Sequence, residues 1–412
     1  MLLHKALPPV EDLQLDKIRS RGWHALTGDL LLPILVIREG ALNHNIEVMR
    51  RFCEDSGVSL APHGKTTMSP QLIHRQLDAG AWGMTAANPV QARVMRSAGA
   101  DRVIIANQVP DRLGLRWMAL EMAANPEAEI FCLVDSVRIV ELMQEALEGT
   151  SPAVQIPVLI ELGVKGGRTG CRTLEQAMEV ASAVARASRL RLAGVECFEG
   201  VIHGTDDETI KEVDDLLRHL RGLTESLAAA GAFAGAPEIL VTAGGSTYFD
   251  RVVAVLAAGW SLHRPVRVVL RSGCYLTHDH GSYMRGGPFG GRLSAYPALQ
   301  PALELWGAVH SRPEPGLAIV GFGKRDSSYD SGLPTPLRVR SGDSERPAPA
   351  GIEVFQLNDQ HAFVHIPEDD PLQVGDLIGC GISHPCTIFD KWRVIPIVDD
   401  EYRVNEVAET LF

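Results

Sequence analysis

The sequence predicts an α/β protein, a (β/α)8 barrel of the TIM type followed by a smaller C-terminal β domain. Three features of the chain point there. Eight short apolar, β-rich runs end near Pro62, Ala86, Ala106, Val134, Glu161, Cys197, Val241 and Leu270. Segments with helical periodicity separate each run from the next. Beyond about residue 285 that alternation stops, and apolar runs are divided by Pro, Gly and Asp instead. Eight strand–helix repeats match the count of a parallel barrel. A doubly wound open sheet would also alternate, so the count favours the barrel without excluding the sheet.

The helix after the first run has clear end signals. Ser69 is placed to cap it, Pro70 suits its first position, Leu72, Ile73 and Leu77 share a face, and Gly80 can close it. Further helices are expected over 89–97, 111–124, 136–148, 173–187, 207–230 and 247–258. The C-terminal runs LELWGAVH (303–310), GLAIVGFG (316–323), HAFVHI (361–366) and RVIPIV (393–398) read as strands. The expected division is an N-terminal segment, 1–40, whose run LLPILVI (31–37) gives a strand to the β domain; a barrel, 41–284; and a β domain, 285–412, carrying a metal site.

At 412 residues and 45% hydrophobic content the chain can bury more than one core. Its net charge of −12, from 39 basic and 51 acidic residues, speaks against a nucleic-acid binder or a protein held on anionic lipid. No run has the length of a signal sequence or a membrane span. Seven cysteines, an odd number with no CxxC pair, suit free thiols in a reducing cytoplasm.

In barrels, working residues sit where strands end and loops begin. Lys65 lies just past the first of the eight strands, in APHGKTTMSPQ (61–71). His63 and Gly64 precede it and Thr66 and Thr67 follow, leaving room and hydrogen-bond donors for a bulky anion. A lone lysine there is by default a solvated loop residue. This run resembles the pyridoxal-phosphate lysine motif of the alanine-racemase-like fold, in the branch containing D-serine dehydratases and D-threonine aldolases. The resemblance extends from about residue 30 to the C-terminus. It implies a pyridoxal phosphate-binding barrel with a β domain, usually a homodimer, with Lys65 holding the cofactor and His63 beside it.

Other segments gain roles from the same resemblance. TAGGSTYFD (242–250) follows the seventh strand; Gly244 and Gly245 let backbone N–H groups approach an anion, and Ser246 and Thr247 add hydroxyls at a helix start. It is similar to the family's phosphate loop. RSGCYLTHDHGSY (271–283) looks like the family's RPGxY segment, with Ser272 in place of Pro, so Gly273 and Tyr275 are expected to close the phosphate pocket. His278, Asp279 and His280 are equally substrate-side groups or a polar loop. IELGVKGGRTGCR (160–172) resembles the DxGxxRxG stretch, placing Arg168 beside the cofactor's ring hydroxyl or the substrate carboxylate, with Glu161 nearby. His203 and His361 have no assigned role.

GISHPCTIFDKWR (381–393) discriminates most. His384 and Cys386, two apart, offer an imidazole nitrogen and a thiolate, a zinc-type pair that is weak on its own. The segment is close to the metal segment of D-serine dehydratases, whereas D-threonine aldolases typically carry Asp at the position of Cys386. The resemblance therefore implies a metal-assisted dehydratase and deaminase of D-3-hydroxy amino acids such as D-serine or D-threonine, yielding a 2-oxo acid and ammonia. Retro-aldol cleavage is the first alternative. Racemisation, with Tyr296, Tyr329 or Tyr402 as a second base, is another; a pyridoxal-phosphate carrier protein would lack the β domain.

Overall fold

The computed structural model describes residues 4–8, 14–151 and 154–412. Of the 1–40 segment, residues 1–3 and 9–13 therefore lie outside the described residues. Strand β1 (Ile34–Arg38) leads into helix α1 (Glu39–Ser56). The barrel strands are β2 (Ser59–Leu60), β3 (Met84–Ala86), β4 (Arg102–Gln108), β5 (Glu129–Val134), β6 (Ile156–Leu162), β7 (Leu190–Cys197), β8 (Ile239–Ala243) and β9 (Val266–Leu270). Between them run α2 (Pro70–Asp78), α3 (Pro89–Ser97), α4 (Arg112–Ala124), α5 (Val137–Leu147), α6 (Leu174–Arg186), α7 (Asp207–Ala229) and α8 (Phe249–Leu256).

All pairings in this sheet are parallel, in the order β2-β9-β8-β7-β6-β5-β4-β3. The two end strands form no ladder, but Trp82 N–H donates to Leu60 O and Thr85 N–H to Pro62 O, both at 2.8 Å. Those bonds close the ring, settling barrel over open sheet. Polar caps hold the helix starts: the side chains of Asn88, Asp111, Ser136, Thr173 and Asp206 each accept a first-turn N–H. Each such cap is worth about 1 kcal/mol. Ser69 occupies the capping position of α2, yet its hydroxyl donates to Gln71 Oε1 at 3.2 Å and caps nothing.

The barrel interior is layered. Ala61, Ile104, Phe131, Leu159, Leu240 and Val269 pack into a small apolar cluster separate from the main core. Above it, at the C-terminal ends of the strands, the inward residues turn polar: Thr85, Glu161, Glu196, Thr242 and Arg271 are all buried. Buried polar groups need partners. Thr85 Oγ1 donates to Ala61 O at 2.6 Å and Thr242 Oγ1 to Val269 O at 2.8 Å.

Helix α1, not foreseen from the sequence, links β1 to the barrel and buries Leu42, Val48, Met49, Phe52 and Cys53. After a short helix, α9 (Ser282–Gly286), the chain is strand-rich: β10 (Leu303–Glu314), β11 (Leu317–Val320), β12 (Thr335–Ser341), β13 (Ser344–Pro347), β14 (Glu353–Leu357), β15 (Ala362–His365), β16 (Leu377–Gly381), β17 (Val394–Val398) and β18 (Val404–Glu409). The main path of this second sheet is β13-β12-β16-β10-β1-β17-β18, with β11, β15 and β14 branching from β10. Strand β1 thus lies between β10 and β17, tying the chain's start to its end. Arg75 of α2 strengthens the joint by pairing with Glu39 of α1 at 3.0 Å and with Glu406 of β18. No described helix is long and apolar enough to cross a membrane.

Candidate active site

A cavity of about 290 Å³ opens at the C-terminal mouth of the barrel, where the β domain folds over it. Its wall includes His63, Lys65, Arg168, Gly244, Gly245, Ser246 and Gly273 from the barrel. His384 and Cys386 of the β domain complete it. A larger hollow, about 650 Å³, lies on the outer flank between α6 and α7 and holds none of these groups.

The lysine turn is set by backbone contacts. His63 N–H donates to Arg271 O at 3.1 Å, and residues 64–66 form one 3-10 turn that leaves Lys65 exposed while Thr66 is buried. The loop after β9 presses on it so closely that a Cβ at Gly273 would stand 2.5 Å from His63 O. Only glycine fits there. His63 is half-buried, and its buried Nδ1 has no partner among the described residues. Burial first, and then the cations Lys65, Arg271 and Arg168, hold its pKa well below the ordinary imidazole value, so the ring is neutral.

Beneath the cavity lies a buried ion pair that the sequence reading missed. Arg271 bonds Glu196, and its Nη1 donates to Thr242 Oγ1 at 2.9 Å. Burial raises Glu196 to about 7 against the opposing pull of Arg271. Arg168, above, rests on the Phe198 ring at 4.8 Å and pairs with no carboxylate among the described residues. Glu161 is taken up by Gln108 at 2.6 Å and Thr169 at 2.7 Å.

The expected anion seat is built differently. Gly244 and Gly245 are on the wall, but their N–H groups donate to buried Glu199, at 3.1 and 2.5 Å. A carboxylate of the chain already answers those two donors, because the turn after β7 brings Glu199 under the loop after β8. Thr247 is absent from the wall; its carbonyl accepts from Arg292. Tyr275 also turns away, into a small neighbouring cavity, because the turn after Gly273 buries its ring. Tyr283 takes the wall position instead. Ser246, Ser272 and Gly273 remain on the wall, and Ser272 Oγ ties the two loops by donating to Gly245 O at 2.9 Å.

At the β-domain edge, His384 Nδ1 meets Asp330 Oδ2 at 2.5 Å. The carboxylate accepts the Nδ1 proton, leaving Nε2 as the ligating nitrogen. Cys386 Sγ lies 3.4 Å from Cys274 Sγ and 3.3 Å from Thr66 Oγ1. The bond to Cys274, reinforced by His384, pulls the Cys386 thiol down; the same bond, with burial, pushes Cys274 up. The bond to Cys386, and then Asp330, raises His384 against burial. A thiolate, an imidazole nitrogen and an orienting carboxylate suit a borderline-soft divalent metal such as zinc. Among the described residues no three His, Cys, Asp or Glu side chains already form a metal cage.

The remaining polar candidates lie outside the cavity. Asp279 Oδ1 accepts the N–H groups of Gly281, Tyr283 and Met284, a capping role at α9. His280 packs its ring over Gly381, and His203 and His361 are exposed on loops. Tyr296 bonds Asp55 and Tyr402 bonds Glu304; neither they nor Tyr329 line the cavity.

A barrel with a lysine turn at its mouth, a neutral imidazole below and a β domain closing over it defines the class of pyridoxal-phosphate barrels. The chain belongs to the alanine-racemase-like family within that class. Residues 37–251 match the alanine racemase, N-terminal domain family, and residues 302–398 the putative serine dehydratase domain. The chain is 24% identical over 375 residues to a 3-hydroxy-D-aspartate aldolase of Paracoccus denitrificans, covering 89% of this chain and 88% of that protein. It is 24% identical over 373 residues to a D-threonine aldolase of Arthrobacter sp, covering 89% of each. The D-threonine aldolase from Filomicrobium marinum superposes with a TM-score of 0.75 at 26% identity, over 92% of this chain and 95% of that one. D-threo-3-hydroxyaspartate dehydratase from Delftia sp. HT23 shares the fold at TM-score 0.71 and 22% identity, over 93% and 98%. A D-threo-3-hydroxyaspartate dehydratase of the same fold also exists as a cysteine-to-alanine variant in a metal-free form.

Proposed function

We propose that this protein is a pyridoxal-phosphate-dependent lyase that eliminates water from D-3-hydroxy amino acids of the serine or threonine type, giving a 2-oxo acid and ammonia. The observation that carries this reading is that Lys65, His384 and Cys386, from two domains, line one cavity. A base and a metal-binding pair can thus reach neighbouring carbons of one small substrate.

Lys65, with His63, Arg168, Ser246 and Gly273 around it, would hold pyridoxal phosphate, which when bound supplies an electron sink for the pair left as the α-proton departs. His384 and Cys386 would hold a divalent metal, whose contribution is Lewis acidity toward the β-hydroxyl. Lys65 Nζ takes the α-proton, and the face it serves sets the enantiomer. Arg168, a wall guanidinium with no acid partner among the described residues, offers a planar fork to the substrate carboxylate or the cofactor's ring oxygen. Neutral His63 adds no positive charge to this wall. Glu196 with Arg271 fixes the floor. Thr66 couples the two halves, since it follows Lys65 and touches Cys386.

Cys386 at a position where aldolases typically carry Asp favours elimination over carbon–carbon cleavage. The second reading, retro-aldol cleavage to glycine and an aldehyde, draws on the names of the two curated relatives. The test is a panel of D- and L-3-hydroxy amino acids incubated with the metal-loaded holoenzyme, with ammonia, glycine and 2-oxo acid measured. Ammonia and 2-oxo acid in equal amounts from D-substrates is the expected result. Glycine without ammonia overturns the elimination reading.

A further inference from the structure

We propose that Cys274 is a third protein ligand of the metal held by His384 and Cys386, leaving the metal one open position for the substrate. The inference rests on the metal-dependent reading above.

Catalytic zinc sites use three protein donors and keep the fourth position for water or substrate. His384 and Cys386 supply two. Asp330 is committed to His384 Nδ1 and to Thr387 Oγ1, the latter at 2.6 Å. Asp279 Oδ1 takes three backbone N–H groups, and Asp279 is not on the cavity wall. Glu161 and Glu196 are on the wall but held by Gln108, Thr169 and Arg271. Cys274, with its sulfur 3.4 Å from that of Cys386, is the donor beside the pair.

Its geometry fits. Two thiolates on one tetrahedral zinc, each bond about 2.3 Å, stand about 3.8 Å apart. The sulfurs of Cys274 and Cys386 are 3.4 Å apart, so they need to separate by only about 0.4 Å to bracket an ion. Cys274 lines the cavity, and Gly273 pins its loop against the lysine turn. Thr66 Oγ1 lies 3.7 Å from Cys274 Sγ and 3.3 Å from Cys386 Sγ, placed to share its proton with both. The donors do not yet converge on one point among the described residues; the ion itself would complete the convergence.

X-ray absorption at the zinc edge of the zinc-loaded holoenzyme counts the sulfurs directly. Two sulfur neighbours at about 2.3 Å are expected, with one sulfur in Cys274→Ser and zinc retention against a chelator about tenfold weaker or more. One sulfur in the wild type overturns the proposal. So does failure to retain zinc, or a mass two hydrogens lower that shows the two thiols joined as a disulfide. The wild-type count stands even if the variant fails to fold. Lyase activity with one sulfur would sink this assignment alone; two sulfurs without lyase activity would sink only the functional reading.

Discussion

The two halves of the cavity are built on opposite plans. The barrel half is charge-compensated in advance: Glu196 holds Arg271 and Glu199 takes the N–H groups of Gly244 and Gly245. The β-domain half instead gathers thiols and an imidazole. It draws Cys274 from the barrel, Asp330 from one β-domain loop and His384 and Cys386 from another, with Asp330 substantially exposed. Under the proposed function, a rigid floor would hold a planar cofactor in one orientation, and the edge would offer its thiols and imidazole to an ion and a substrate oxygen.

Mutations on each side separate these plans. The largest effect is expected at Lys65. Lys65→Ala should lower kcat/KM by about 10³-fold or more, and borohydride reduction followed by peptide mapping should label Lys65 in the wild type and nothing in the variant. On the edge, Asp330→Asn should weaken metal retention or activity by about 10- to 100-fold, because the acceptor that fixes His384 as a ligand is lost. Full metal content in that variant, read by elemental analysis after dialysis, would argue that the carboxylate is incidental.

The floor should respond to pH instead. Folding raises the Glu196 pKa from 4.5 to about 7. The unfolded chain therefore loses that proton first, and the stability this group contributes is present below about pH 4.5 and lost as pH rises toward 7. Glu196→Gln should flatten the stability profile across that window by no more than about 3 kcal/mol, read from urea midpoints at several pH values. An unchanged profile would mean that Glu196 is charged throughout in its pair with Arg271. The smallest effect is expected at Glu199→Gln, which removes one of the two acceptors of the glycine turn and the charge from the other, and should cost about 1 kcal/mol of cofactor affinity. Tighter cofactor retention by absorbance would show instead that Glu199 competes with the phosphate.

The barrel was legible because its signals are local. Strand ends foreseen at Ala86, Val134, Cys197 and Leu270 fall at those residues, since each is an apolar run stopped by a turn or cap. Helix α1 was not, because its first-turn neighbour Arg38 makes no side-chain cap and no strand count depends on it. Lys65, Arg168, Ser246, Gly273, His384 and Cys386 reach one cavity from motifs that are each contiguous in sequence. The residues missed act across long separations. Arg271 meets Glu196 75 positions away, Cys274 meets Cys386 112 away and Asp330 meets His384 54 away. Only a closed barrel with a β domain folded over it brings them together. Thr247 and Tyr275 sit in the right motifs but off this cavity's wall: the Thr247 carbonyl is held by Arg292, and Tyr275 is buried beside a neighbouring cavity.

D-Threonine offers the most direct test, since both chemistries are open to the same molecule at the same site. Elimination of water predicts 2-oxobutanoate and ammonia in equal amounts from the metal-loaded holoenzyme, with the rate collapsing when the metal is stripped and returning on reloading. Glycine and acetaldehyde as the main products, or undiminished turnover without metal, would contradict the account.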